Sequence, residues 1–479
     1  MKDKLSKREL LTFASGDLFG GGAQIIINFY FLVFLTDVVK IRPILAGIII
    51  LTSEIWDAIS DPLMGILTDR TRTRWGRRRP YFFAGFFGIL AAFFLIWYPI
   101  SNESEMVRFF YMLFAYTLYT TVSTMVMVPY SAMSSEISTD YKERTKVNGM
   151  RLVFSQASSL ICAVVPIEIV KAFANQNTGY MVMALAFAFF FAIPFLLIFR
   201  FTQERVPMEE KSNVKIKFAD FIKPLKVRSF RSLVLIYLFA FLAMDIVSVI
   251  FAYYMNYYLV RPSELNYVLG ALLITQLILV PAVIKASYRI EKSGVVRYSV
   301  VIWLGAILLM SMLQPDWPSW SIYLNAVFMG FGIVGCVVMP WVMFPDVTDI
   351  GELAFGSRNA GSFSGLMTFT RKSSSALGMF LVSTILEFAG YIKPETIIED
   401  GATKTIYMEQ PDSFMFAIKI IIFVIPFILL LITWIQAKRY PLTRANSEKV
   451  VQYLEYQRGN TDVNPISQEE LDTIKEAVI

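Results

Sequence analysis

The chain has 479 residues, 56% of them hydrophobic and 17% charged, with a formal net charge of +6. So few charges cannot cover the apolar surface of a soluble chain of this length, whereas a chain that crosses a membrane many times needs no such cover. The basic residues gather at the edges of apolar runs, which excludes a nucleic-acid partner and points to anionic lipid and membrane topology.

Twelve apolar runs reach the roughly 20 residues that a spanning helix needs. They are 12–38, 44–68, 80–99, 107–133, 147–172, 178–201, 229–258, 264–287, 296–313, 318–345, 360–391 and 412–437. The expected fold is an all-α membrane protein with twelve transmembrane helices in two six-helix halves. The opening Met1 to Arg8 leads straight into an apolar stretch long enough to span, with no small-residue cleavage site, so no cleavable leader is expected. In the first run Gly16, Gly20, Gly21 and Gly22 predict close helix packing, and Asp17 lies among them. The second run carries Glu54, Asp57 and Asp61. Six arginines follow within ten residues, Arg70 to Arg79. That block is a topology signal, and Pro80 after it suggests a structured loop whose arginines latch onto acids at other helix ends, with Glu136, Asp140, Asp346 and Asp349 as candidates. Trp97, Tyr98, Trp317 and Trp320 sit at run ends and read as interface anchors.

With the N-terminus in the cytoplasm, the even-numbered loops hold most of the base: Arg70–Arg79, Lys142/Arg144/Lys146, Arg200 to Arg231, and Lys285/Arg289/Lys292/Arg297. The asymmetry places both termini in the cytoplasm of a cell-membrane protein. The longest internal polar segment, 202–228, separates six runs from six. The expected organisation is therefore 1–201, a linker 202–228, 229–437, and a cytoplasmic tail 438–479 with a short helix over Gln468–Val478. Pro129-Tyr130 leading to Glu143-Arg144 is echoed by Pro340-Trp341 leading to Glu352 and Arg358, each at the end of the fourth run of its half, as internal duplication requires.

Charges inside apolar runs are costly and normally face a cavity or a partner. The candidates are Asp17, Glu54, Asp57, Asp61, Arg151, Asp245, Arg371 and Lys372. Asp57 and Asp61, four residues apart, stack on one helix face about 6 Å from each other. Two such carboxylates repel, so a bound monovalent cation, a proton or a cationic side chain must neutralise one. Hard oxygen ligands suit Na⁺ or Li⁺, and Lys372 is the alternative counter-ion. Glu54 roughly shares that face and divides between a functional and a structural role. Asp245 either lines the pathway or pairs with another helix. The chain contains no histidine, so a proton step near neutral pH falls to a carboxylate. Cys162 and Cys336 lie in apolar runs and read as free, buried thiols.

The stretch Trp56-Asp57-Ala58-Ile59-Ser60-Asp61-Pro62, followed by Arg74-Trp75-Gly76-Arg77, carries a resemblance. With Gly16-Asp17, Val128-Pro129-Tyr130-Ser131, Glu143-Arg144, Pro345-Asp346 through Asp349 to Glu352, and Arg371-Lys372, in this order, the chain resembles the glycoside–pentoside–hexuronide:cation symporters of the major facilitator superfamily. Their best-known member is the melibiose permease. The resemblance implies that Asp57 and Asp61 bind the coupling cation, with Thr124 lending an oxygen. It further implies that Lys372 links cation and substrate sites, and that Asp17 and Arg151 bind substrate hydroxyls. Met127 stands where the permease has a sugar-binding aspartate, Ser131 where it has an aromatic, and Glu54 where it has an arginine, so the sugar pocket is altered.

The expected function is secondary active symport of a glycoside or related sugar derivative with Na⁺, or with H⁺ or Li⁺, by alternating access. A lysolipid-like solute and a non-transporting sensor on the same fold are the alternatives. No enzyme activity is expected, since no nucleophile–base set or metal cluster is found. No cofactor is expected either, and the partners are a small-molecule glycoside and membrane lipid, with the chain acting as a monomer.

Overall fold

The structure is a computed structural model that describes residues 5–138, 141–204, 222–356, 360–399, 402–457 and 466–479. The first apolar run begins as α1 (Lys7–Ala14) and α2 (Asp17–Ile26) and ends in two π-helical turns, Ile27–Phe31 and Phe34–Val38. The next helices are α3 (Pro43–Arg70), α4 (Arg79–Ile96), α5 (Glu105–Glu136), α6 (Tyr141–Lys171) and α7 (Gln176–Phe201). After these come α8 (Arg228–Tyr253), extended by the π-turn Tyr254–Tyr258, then α9 (Leu265–Ser287), α10 (Lys292–Met312), α11 (Ser319–Phe355) and α12 (Ala360–Phe388). A hairpin of β1 (Glu395–Glu399) and β2 (Ala402–Ile406) is antiparallel, with Glu395 opposite Ile406. The last run holds α13 (Asp412–Lys419), the π-turn Ile420–Val424 and α14 (Ile425–Lys438), and the tail holds α15 (Arg444–Gln457) and α16 (Gln468–Val478).

Among the described residues, eleven helical segments are long and apolar enough to cross a membrane. With α12, whose Arg371, Lys372 and many hydroxyl side chains make it more polar, they make up the twelve-helix fold expected from the sequence. Prolines inside α3, α5, α6, α7, α9 and α11 do not end these helices, as is tolerated in membrane spans where neighbouring groups satisfy the freed carbonyls. Side chains of Ser6, Asn175 and Ser467 cap α1, α7 and α16.

Two compact units are present. The first comprises Met1–Glu210, Ser248–Leu273 and Met379–Ile418. Within it α2 packs on α6, α3 on α5, and α4 on α7. The glycines of the first run are there for packing: a Cβ on Gly21 would lie 2.6 Å from the Ser155 carbonyl oxygen, and one on Gly22 would lie 2.1 Å from Ser158 Oγ. The second unit comprises Lys211–Val247, Ile274–Gly378 and Lys419–Ile479, with α10 packed on α11 and α14, and α15 against α11.

Three details differ from the sequence reading. Helix α11 continues ten residues past the expected end at 345. Pro345 removes one N–H, but Val347, Ile350 and Gly351 are buried beyond it, and the left-handed Gly356 (φ 68°) then closes the helix. The tail contains α15 as well as the expected Gln468–Val478 helix. Val450 and Leu454 of α15 are buried, and Arg444 donates to the Tyr288 carbonyl at 2.8 Å. Trp97 is not an interface anchor: it is fully buried, against Phe31 and Phe34. Tyr98, Trp317 and Trp320 are exposed.

Candidate functional site

Helices α3 and α5 lie side by side and share a polar seam within otherwise apolar segments. Ser53 Oγ lies 3.1 Å from Thr117 Oγ1, the Tyr116 hydroxyl donates to Glu54 at 3.5 Å, and Trp56 Nε1 donates to Thr121 Oγ1 at 2.8 Å. The last rung holds the paired aspartates. Thr124 Oγ1 is 2.9 Å from Asp61 Oδ1 and makes a still closer contact with Asp57 Oδ1. Asp57 is buried and Asp61 partly so. A hydroxyl has one hydrogen, and ionised carboxylates only accept. Thr124 alone therefore cannot satisfy both aspartates as anions, and a positive charge beside them, whether a bound cation, a proton or a cationic side chain, lowers their mutual repulsion. Two carboxylates and a hydroxyl are a hard, all-oxygen donor set, suited to a monovalent cation. Among the described residues there is no group of three or more His, Cys, Asp or Glu side chains fit to hold a metal ion.

A second charged cluster lies between α2, α5 and α6. Arg151 Nε donates to Asp17 Oδ2 at 2.6 Å, and the Arg151 guanidinium stacks over the Tyr130 ring at 4.4 Å. The Tyr130 hydroxyl is 3.2 Å from Asp17 and 2.8 Å from the Phe13 carbonyl. The two residues expected to meet a substrate are thus paired with each other, with side-chain exposures of 17% for Arg151 and 13% for Asp17, so neither is a bare charge. Met127 is close by: a Cβ on Gly20 would meet Met127 Cε at 2.7 Å and Asp17 Oδ1 at 3.1 Å.

In the second unit, Asp245 of α8 is held by Arg371 of α12 through two bonds, of 2.7 and 3.0 Å, with Ser374 Oγ at 3.3 Å. Arg371 also stacks over Phe241 at 4.8 Å. Asp245 is thus one half of a helix-to-helix ion pair. Lys372, the next residue on α12, is partly buried.

The arginine block is structured, and its backbone is held by an acid that the sequence reading did not name. The carboxylate of Glu204 accepts from the backbone N–H groups of Arg77 and Arg78 at 3.2 and 2.8 Å, and from that of Arg79 at 3.4 Å, capping the start of α4. Gly76 sits at φ 102°, and a Cβ there would be 2.6 Å from Glu204 Oε1. Arg78 binds Thr68 at 2.6 Å, and Arg79 Nε binds the Phe199 carbonyl at 3.0 Å. Of the expected partners, Asp346 is paired with Lys292 at 2.5 Å. Asp140 and the Glu136 side chain lie outside the described residues. A lone carboxylate after a helix end, 127 positions from the amide it caps, leaves no local pattern to read.

The seam partners Tyr116, Thr117 and Thr121 were not singled out from the sequence. The signal was present: Thr117, Thr121 and Thr124 recur at four and three residues, one face of a helix.

A profile of the MFS/sugar transport protein family matches residues 12–444. The sodium-dependent lysophosphatidylcholine symporter 1 of Mus musculus is 24% identical, covering 94% of this chain and 88% of its own. The isoprimeverose transporter of Lactiplantibacillus pentosus is 24% identical and covers 77% of each chain. Among solved structures, the inward open conformation of the xylose transporter XylE from E. coli matches with a TM-score of 0.60 at 13% identity, over 89% of this chain and 95% of that one. That likeness is one of fold.

Proposed function

Since this chain belongs to the MFS/sugar transport protein family, we propose that it is a cell-membrane symporter that imports a glycoside or related sugar derivative together with Na⁺, or with H⁺ or Li⁺ in its place. The observation that carries the coupling is the single Thr124 hydroxyl set against both Asp57 and Asp61. Cation binding neutralises the pair and raises solute affinity, and solute binding raises cation affinity by the same factor. The glycoside–pentoside–hexuronide assignment belongs to this reading, as do the cytoplasmic placement of both termini, the two six-helix halves and action as a monomer.

Asp17 and Arg151 are assigned to solute hydroxyls. A carboxylate accepts and a guanidinium donates in a fixed fork, and a sugar can exchange its hydroxyls for part of their mutual pairing. Lys372 is assigned to the linkage between cation and solute. The test is uptake of radiolabelled glycosides, glucuronides and aryl glycosides into proteoliposomes under a Na⁺, Li⁺ or proton gradient. Concentrative uptake driven by one cation supports the reading, and binding without any cation dependence overturns it.

A second reading is favoured by one position. Met127 and Asp17 both come within 4 Å of where a Cβ on Gly20 would stand; the melibiose permease has an acid at the Met127 position, and an apolar group there suits a solute with an acyl or aryl part. The lysophosphatidylcholine symporter similarity supports the same reading. Competition of glycoside uptake by lysolipid separates the two.

A further inference from the structure

Two π-turns in this chain are copies of each other. In Phe34–Val38, Val39 N bonds the Phe34 carbonyl and Ile41 N bonds the Leu35 carbonyl, both at 2.9 Å. In Tyr254–Tyr258, Leu259 N bonds the Tyr254 carbonyl at 2.9 Å and Arg261 N bonds the Met255 carbonyl at 2.8 Å. Each turn is followed at the same step by a left-handed residue, Lys40 (φ 61°) and Val260 (φ 55°), the only positive-φ residues other than glycine among those described. A β-branched residue there is strained, and π-turns and strained backbone collect where a fold must move.

The two copies meet at their matching positions, 220 residues apart in sequence. Asp37, buried in the first turn, accepts from the hydroxyl of Tyr257 in the second at 2.9 Å. Tyr391, in the loop after α12, donates to the other carboxylate oxygen and lies 2.9 Å from the Tyr257 hydroxyl. Thr36 donates to Asp37 at 2.6 Å and is 2.8 Å from the Tyr253 hydroxyl. All these residues belong to the first compact unit, although the three tyrosines come from the second half of the chain. A shell of charges braces them. Arg42 and Lys393 both bind Glu105, at 2.9 and 3.1 Å, Lys393 donates to the Lys40 carbonyl, and Lys40 donates to the Pro394 carbonyl. The cluster sits at the helix ends opposite the Arg70–Arg79 block, since α3 starts just after it, at Pro43, and runs to Arg70.

We propose that Asp37, Tyr257 and Tyr391 form a hydroxyl–carboxylate latch that holds the ends of the first, seventh and eleventh spans together and must release for solute to enter from outside. Its purpose rests on the transport reading above; its geometry does not. Hydroxyl donors suit the task, because each bond can be exchanged for water at little net cost, whereas breaking a buried ion pair strands two charges.

The test uses spin labels on Glu103→Cys and Ser263→Cys, both exposed, in a background where Cys162 and Cys336 are alanine, with pulsed electron–electron distances measured in nanodiscs. Tyr257→Phe with Tyr391→Phe removes the donors but keeps the rings, which pack on Phe414 at 5.7 and 5.5 Å. The latch requires the ratio of the long-distance to the short-distance population to rise about tenfold or more. Tyr391→Phe alone gives a smaller shift in the same direction and serves if the double variant does not fold. A folded variant with the parent's distance distribution overturns the latch. A parent that shows the shift on mutation but takes up no solute overturns the transport reading alone.

Discussion

Asp57 and Asp61, one turn apart on α3, face the same hydroxyl of Thr124. That hydroxyl has one hydrogen to give, and two carboxylates this close repel unless a positive charge joins them. Asp57→Asn deletes one charge and keeps the shape, so the need for a cation disappears. Uptake by this variant is expected to lose its stimulation by Na⁺, Li⁺ or protons while the protein stays folded in the membrane. Undiminished cation stimulation in vesicles would remove the assignment.

Thr124→Ala is expected to lower cation affinity about tenfold or more, since a hydrogen bond to a charged group is worth about 1.5–3 kcal/mol. Thr124→Ser restores the hydroxyl and is expected to stay close to the parent. Titration of cation-dependent solute binding reads both, and equal losses in Ala and Ser would point to packing rather than to the oxygen.

The Arg371–Asp245 pair gives a stability prediction. Asp245 is 1% exposed, and Arg371→Ala leaves its carboxylate uncompensated, at a cost of about 3 kcal/mol or more. The neutral double variant Asp245→Asn/Arg371→Gln is expected to unfold at a higher temperature than Arg371→Ala in a detergent melt. If the two substitutions simply add, the residues are not coupled.

Lys372→Ala is expected to abolish concentrative uptake with little effect on insertion, because an intramembrane cation is rare and costly unless it is used. Accumulation equal to the parent's would release Lys372 from the coupling role. Asp17→Ala tests the solute side: glycoside binding should weaken about tenfold or more, and calorimetry showing tight, unchanged binding would place the solute elsewhere.

Gly76→Ala is expected to destabilise the loop by about 1–3 kcal/mol, from the positive φ alone, with the Glu204 contact adding to it. In a thermal melt the loss should shrink when Glu204→Ala is already present. Full additivity would mean the clash plays no part.

The spans were legible because lipid imposes one simple rule: about 20 apolar residues, each backbone group bonded within its own helix. That rule located the twelve runs, and the rarity of charge inside them brought out Asp17, Asp57, Asp61, Arg151, Asp245, Arg371 and Lys372. Helical spacing alone placed Asp57 and Asp61 on one face. Apolarity does not mark helix ends in water, so α11 ran on past Pro345 and α15 went unseen. Trp97 looked like an anchor because composition cannot tell a ring at the lipid edge from one turned inward onto Phe31.

What only tertiary structure decided was pairing. Arg151 closes on Asp17, Arg371 on Asp245, and Tyr257 on Asp37, across 134, 126 and 220 positions of sequence. Local propensity acts over a turn or two of helix and contains no information about which distant helix will bring its donor to a given carboxylate. Helix packing makes that choice, through small residues such as Gly21 and Gly22 that let backbones approach. The sequence determined which groups are too costly to leave unpaired in the membrane, and the packing determined their partners.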